Sequence, residues 1–390
     1  MTENTPAVAA APIAIESVGE NPTPIWGLTN RERTRRIAVA IGLAPDMQTS
    51  GAPSPVASSG TRVIVHDAFA WDPAWLRHIA ANPGLVLTMG HVPAIAHARN
   101  DEEAEAIRKS IREDKPLVPG NLTVLAYENG PTIENKQLRK RETPFVMALF
   151  PDTVRKIERA SYFGAYKGVT DILTKYLWPE WALVITRICA KFGITPNMVT
   201  AVGAILCVYA TFLFSWGQYW AGMAVGLGFM VLDTVDGKLA RCTITSSWWG
   251  NIFDHGIDLV HPPFWWWFWA TGLVHWGLEL SPQAFNSVMI AIIGGYVLQR
   301  VIEGIFMRRN GQMHIHVWRR FDSRFRLITA RRNPNMVILL VAMIFGRPDF
   351  GIVAVAWWTV ISCAIHAVRL LQAEVARTRD GGLTSWLSEG

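Results

Sequence analysis

The chain has 390 residues, of which 50% are apolar and only 17% charged, with a mean hydropathy of +0.19. Soluble domains carry about a quarter charged residues, and disordered chains are poor in aromatic and branched side chains, so this composition argues against both. Cys189, Cys207, Cys242 and Cys363 show neither paired nor metal-ligand spacing, which speaks against a disulfide scaffold or a zinc site. The 18 Trp suit a surface with one apolar and one wet side. The net charge of +6 fits nucleic acid or anionic lipid equally well, so the placement of the arginines has to decide.

In chain order, residues 1–24 are Pro/Ala-rich and acidic and read as a disordered tail without the apolar core of a signal peptide. Residues 25–150 read as a small α/β domain. Asn30 caps a basic helix over Arg31–Ile41, and a Pro/Ser/Gly-rich linker follows at 44–60. Strands are expected at Arg62–Val65, Leu85–Met89 and Leu122–Ala126, and helices at Asp72–Ala81 and Asp101–Glu113. Residues 151–196 form a juxtamembrane region, in which Pro151–Leu177 has the basic, amphipathic pattern of a helix lying on a membrane.

Hydrophobicity concentrates after residue 195. Asn197–Trp216 is 20 residues without a charge, enough to cross a bilayer. Further spans are expected in Tyr219–Leu232 and its continuation, Trp248–Val274, Ala284–Met307, Met336–Gly346 and Phe350–Val368. The predicted fold class is therefore an α-helical integral membrane protein with six transmembrane helices over 197–377, preceded by a small cytoplasmic α/β domain and closed by a tail at 378–390. Orientation follows from the short connections. Ser215–Gln218 has no basic residue, whereas Arg308–Arg332 holds eight arginines. Both termini then lie on the cytoplasmic side of the cell (inner) membrane, and the basic charge faces lipid or an anionic substrate, not nucleic acid.

The most informative stretch runs from Asp233 through Asp236, Gly237, Ala240 and Arg241 to Gly250, Asp254 and Asp258. Spacings of three and four place side chains on one helix face, so each pair of acids shares a face and the two faces meet across a short connection. An acid at a helix centre costs about 2.5–3.5 kcal/mol on insertion. Lys238 and Arg241, the nearby cations, cannot neutralise four. Hard divalent cations, Mg²⁺ or Mn²⁺, suit an all-oxygen site. Gly237 and Gly250 leave room for a bulky ligand, Arg241 can hold a phosphate oxygen, and His255 is assigned a packing or surface role.

This pattern resembles the signature of the CDP-alcohol phosphotransferase (CDP-alcohol phosphatidyltransferase) family, with every motif position filled. The likeness extends over about Lys167–Arg377 and includes Ile194–Thr200 ahead of the first span. It implies a six-helix membrane fold, often homodimeric, whose dinuclear metal site opens to the cytoplasm. Members move a phosphate-linked group from a CDP-alcohol to a second alcohol, releasing CMP, in phospholipid biosynthesis. Carried over by position, Asp233, Asp236, Asp254 and Asp258 become metal ligands, with Asp258 also the candidate base. Gly237, Ala240, Arg241 and Gly250 line the CDP moiety. Residues 25–150 loosely resemble a reduced nucleotidyltransferase-like domain. Ser59-Gly60-Thr61-Arg62 precedes its expected first strand and does not follow it, so the domain reads as degenerate and non-catalytic.

Two other classes compete. A cation- or proton-coupled transporter also carries intramembrane acids, but dispersed near the midplane over several spans. An inactive scaffold of the same fold is disfavoured by the complete set of acids. Acceptor recognition stays open: the arginines of the basic connection can serve topology and lipid headgroups alone, or Arg331 and Arg332 can bind an acceptor phosphate. The second reading favours a phosphorylated polyol over choline. The donor is a CDP-alcohol, CDP-diacylglycerol or a smaller one, with CDP-diacylglycerol the one expected.

Overall fold

Alternation of apolar residues builds the amino-terminal sheet. In the computed structural model, which describes residues 13–43 and 60–388, β1 (Ala14–Val18), β2 (Arg62–His66), β4 (Leu85–Met89), β5 (Val92–Ala98) and β6 (Thr123–Ala126) form one mixed sheet in the order β1-β2-β5-β4-β6. The short β3 (Phe69–Trp71) pairs separately with Val146–Ala148. Successive side chains of β2 point to opposite faces. Val63 and Val65 enter a core with α1 (Asn30–Ala40) and α2 (Pro73–Ala80), and Ile64 enters a second core under α3 (Asp101–Glu113).

Several expectations need correction. The tail placed at 1–24 supplies β1, a parallel edge strand beside β2; residues 1–12 lie outside the described residues, as does 44–59 of the linker. Asn30 is not the cap of α1. Thr29 accepts from Glu32 N–H, while Asn30 is buried and donates to the carbonyls of Asp67 and Phe69. β5 was not expected, because its alanines and Pro93 weaken any strand pattern; Pro93 sits where the β4 register shifts, a position at which a missing N–H is tolerated. Pro151–Leu177 is not one helix. It divides into α4 (Val154–Gly164) and α5 (Ile172–Tyr176), the latter capped by Asp171 accepting from Thr174 N–H, and α6 (Pro179–Lys191) follows.

The chain divides into two units by its internal contacts. One comprises residues 1–133, 142–165 and 242–245, the other 134–141, 166–241 and 246–390. The Cys242–Thr245 connection thus folds with the α/β unit, where Arg36 Nη1 donates to the Thr243 carbonyl (3.0 Å) and Ile244 packs on the core.

The second unit is helical. α7 (Pro196–Ser215), α8 (Tyr219–Cys242) and α9 (Trp248–Gly272) are followed by α10 (Pro282–Met289), which continues through a π turn into α11 (Gly295–Arg309). After α12 (Arg320–Phe325) come α13 (Arg332–Ile344) and α14 (Pro348–Asp380). Among the described residues, Pro196–Ser215, Pro282–Arg309 and Pro348–Arg379 are long and apolar enough to cross a membrane, and Arg332–Ile344 is a shorter apolar helix. Small residues let the helices approach closely: a Cβ on Gly295 would lie 2.7 Å from Thr359 Cγ2, and one on Gly351 2.7 Å from Ala342 Cβ. In the aromatic run of α9, Trp265, Trp266 and Trp269 are buried while Phe264 and Trp267 face outward. Trp265 Nε1 donates to the Cys207 carbonyl and Tyr219 Oη to that of Trp269. The segment expected as a tail is packed where it is described: Leu387 packs with Val169 and Val317, and Ser385 Oγ donates to the Val317 carbonyl; residues 389–390 lie outside the described residues.

Candidate active site

Helical spacing brings the four acids together as two facing pairs. Carboxylate oxygens of Asp233 on α8 and of Asp254 and Asp258 on α9 all lie within 4.8 Å of one another. Asp236 sits deeper, 3% exposed, and accepts a 2.6 Å hydrogen bond from Thr200 Oγ1 of α7 and another from Gly237 N–H. A narrow recess between these helices is lined by Thr200, Gly203, Phe229, Asp233, Asp236, Asp254 and Ile257. Asp258 stands at its rim, with 46% of its side chain exposed. The sequence reading placed Thr200 only in the stretch ahead of the first span, because its contact with Asp236 depends on the fold bringing α7 beside α8.

The charge that answers these acids comes from α13. Arg332 Nη1 donates to Asp258 Oδ1 (2.7 Å) and Nη2 to Asp233 Oδ2 (2.6 Å), with the guanidinium 4.8 Å from the centre of the Phe229 ring. One side chain thus ties α8 to α9. Lys238, one of the two nearby cations, places Nζ over the Tyr166 ring at 3.1 Å. Arg331 and Arg332, paired in the sequence reading, diverge at the start of α13. Arg331 has an extended backbone and sends Nη2 to Glu303 Oε1 (2.5 Å) on α11.

The remaining motif positions have definite surroundings. A Cβ on Gly237 would lie 3.1 Å from Arg241 Nη2, and one on Gly250 only 2.7 Å from Asn197 Oδ1 and 2.9 Å from Ser247 Oγ. Gly250 therefore lets the start of α9 close against the start of α7. Ala240 is half-buried, one turn beyond Asp236. His255 is exposed, with Nδ1 2.9 Å from the Asn251 carbonyl.

The donor set tests whether a metal fits. Asp233 and Asp258 already converge on a cationic group, the Arg332 guanidinium, and the four acids offer oxygen only. Such a set suits hard divalent ions. A model of the CDP-alcohol phosphatidyltransferase family matches residues 193–346, the stretch that contains all four acids and Arg332. Those residues belong to that family. Archaetidylinositol phosphate synthase of Pyrococcus horikoshii is 26% identical over 193 residues, covering 48% of this chain and 91% of that protein. Cholinephosphotransferase 1 of Gallus gallus is 31% identical over 127 residues, covering 30% of this chain and 36% of that protein. Choline/ethanolaminephosphotransferase 1 of Arabidopsis thaliana is 31% identical over 160 residues, covering 33% and 40%. The chain thus spans a little over a third of the two eukaryotic relatives. Residues 193–346 are thus those of a CDP-alcohol phosphatidyltransferase domain, and that family uses divalent metal ions.

Proposed function

We propose that this transferase moves the phosphatidyl group of CDP-diacylglycerol to the hydroxyl of a phosphorylated polyol, with release of CMP. The observation that supports this most is the pair of acid-bearing turns on α8 and α9, tied by Arg332. On this reading α7, α8, α9, α10–α11, α13 and α14 are six spans. The arginine-rich connection before α13 and both termini lie on the cytoplasmic side of the cell membrane, and the family resemblance extends the reading to a homodimer. The phosphorylated acceptor is supported by Arg331, Arg300 and Arg326 beyond the acid seam, and by the name of the Pyrococcus relative.

Asp233, Asp236, Asp254 and Asp258 would hold two ions, Mg²⁺ or Mn²⁺, which neutralise the pyrophosphate and the departing oxygen. The protein's own groups do the rest. Thr200 and the Gly237 N–H fix the Asp236 carboxylate. Gly237, Ala240, Arg241 and Gly250 border the CDP moiety. Asp258, at the open rim, takes the proton of the acceptor hydroxyl as its oxygen bonds to the phosphorus next to the lipid and the bond to the CMP oxygen breaks. The barrier is lowered mainly by positioning and charge stabilisation. The α/β unit is assigned no nucleotidyl transfer. Its first strand among the described residues is β1, so the segment to inspect is Gly19–Thr29. That segment carries two glycines of positive φ, Gly19 and Gly27, eight residues apart, and no glycine-rich run.

The test measures CMP release and product mass from CDP-diacylglycerol with phosphorylated and unphosphorylated polyols. Chelation should abolish release, and added Mg²⁺ or Mn²⁺ should restore it. Full activity in excess chelator, with metal removal verified, overturns the reading.

A further inference from the structure

Beside the acid seam lies a second concentration of charge, of the opposite sign. Arg139, Arg326 and Arg331 lie within electrostatic reach of one another, Arg300 of Arg331, and Lys167 of both Arg139 and the acids Asp233 and Asp254. Glu303 is the acid they share, 2.5 Å from Arg331 and 3.4 Å from Arg300, while Asp171 faces Arg326. Five guanidinium nitrogens, Nε of Arg139, Arg300 and Arg331 and both Nε and Nη1 of Arg326, are enclosed without a hydrogen-bond partner. Burial, reinforced by the charge of Arg331, pushes the Arg326 guanidinium down to about 9 and that of Arg139 down to about 10. Enclosed donors and like charges are costly unless an anion answers them. The cluster is not sealed from solvent, because the side chains of Arg331 and Arg300 remain 22% and 28% exposed. Glu303, His316 and His366 also come close enough to hold a metal, but Arg331 already occupies Glu303 and the surrounding cations oppose another positive ion.

Arg139 is the unexpected member, since it precedes the family domain by more than fifty residues yet folds with the helical unit. Its backbone is left-handed, with φ of +52°, a conformation that is unfavourable for a non-glycine residue and persists where surroundings enforce it. Here the enforcement is visible. Asn135 Oδ1 accepts from Leu138 N–H, and Gly168 N–H donates to the Leu138 carbonyl at 2.8 Å. A Cβ on Gly168 would come within 2.6 Å of the Arg139 carbonyl oxygen. The loop can dock in this way only because residue 168 is glycine.

We propose that the loop Lys136–Arg139 is part of the acceptor site, with Arg139 binding the phosphate monoester of the acceptor together with Arg326 and Arg331. This rests on the phosphorylated-acceptor reading above. It extends that reading to a specificity-determining residue that the family domain lacks.

The experiment compares full-length wild type, Arg139→Gln, Arg139→Lys and Gly168→Ala in detergent with CDP-diacylglycerol. Acceptors are a phosphorylated polyol and its unphosphorylated form, and inorganic phosphate serves as competitor. Arg139→Gln should raise the KM for the phosphorylated acceptor about 10- to 100-fold, the worth of a charge-assisted contact. It should leave the donor KM unchanged and weaken inhibition by phosphate in parallel. Arg139→Lys should recover part of the loss. Gly168→Ala, which displaces the loop without touching the guanidinium, should reproduce it. A rise in donor KM instead assigns the anion to the donor pyrophosphate and overturns the proposal. An unchanged acceptor KM, or an equal fall in kcat with both acceptors, overturns it as well. Wild type that shows no preference for the phosphorylated acceptor fails the underlying acceptor reading. Wild-type preference with indifferent Arg139 variants fails only the role of the loop.

Discussion

Replacing Arg332 by Gln removes a cation that bridges Asp233 on α8 and Asp258 on α9. The Asp233 contact is enclosed, with the two side chains 11% and 17% exposed, and a charge-assisted hydrogen bond of that kind contributes about 1.5–3 kcal/mol. The Asp258 contact reaches a carboxylate that is 46% exposed, so solvent reduces it to about 0.5–1 kcal/mol. Together they come to about 3 kcal/mol, and for a unit of this size each kcal/mol moves the melting midpoint about 2–4 °C. In EDTA, Arg332→Gln should therefore melt about 6–12 °C below wild type. In saturating Mg²⁺ the ions neutralise the same carboxylates, and most of that gap should close. The variant also removes a competitor for the metal, so its apparent Mg²⁺ affinity should rise by about 100-fold at most. Tryptophan fluorescence during heating, with and without Mg²⁺, reads both effects. An equal loss of stability in EDTA and in Mg²⁺ would show that Arg332 acts through packing on Phe229 and not as the counter-charge of a metal site.

Asp258→Asn should elute as a folded protein and bind the CDP-donor normally, yet lose about 10²–10⁴-fold in kcat; a value within about threefold of wild type removes Asp258 from the base role. Arg369→Ala strips the two hydrogen bonds, 2.6 and 2.7 Å, that Arg369 makes to buried Asp322. Leaving that buried carboxylate with the Arg319 N–H but without its counter-charge should cost about 3 kcal/mol, seen as a lowered melting midpoint with unchanged substrate KM values. A shift in KM without loss of stability would mean that the pair serves the site rather than the fold.

How far these features could be read beforehand depended on the sequence distance of the interactions behind them. The acids were legible because their order is helical: intervals of three and four bind Asp233 to Asp236 and Asp254 to Asp258 whatever the rest of the chain does. The apolar segments likewise lie where α7 to α14 begin and end to within a few residues at most boundaries, though α14 extends well past its apolar part. Arg332 was not legible as the acids' partner, because it meets Asp258 and Asp233 across 74 and 99 residues. Nothing local separates it from Arg331, whose side chain goes elsewhere. β1 and β5 were missed for a related reason. An edge strand rich in small and polar residues and a central strand rich in alanine become strands through pairing, with β2 and with β2 and β4 respectively, and not through their own pattern.

The interleaving of the two units bears on how the protein is made. Residues 242–245 complete the α/β unit, but synthesis delivers them only after α7 and α8 have been translated. The amino-terminal sheet therefore emerges first and acquires its last packing element, Ile244, only after two helices of the other unit have been made. Conversely, residues 134–141 leave the ribosome early and wait for Gly168 and the helices beyond. Domains are usually finished one at a time from the amino terminus; here each holds a piece of the other's sequence, so a split of the gene near residue 150 would yield two polypeptides that are both incomplete.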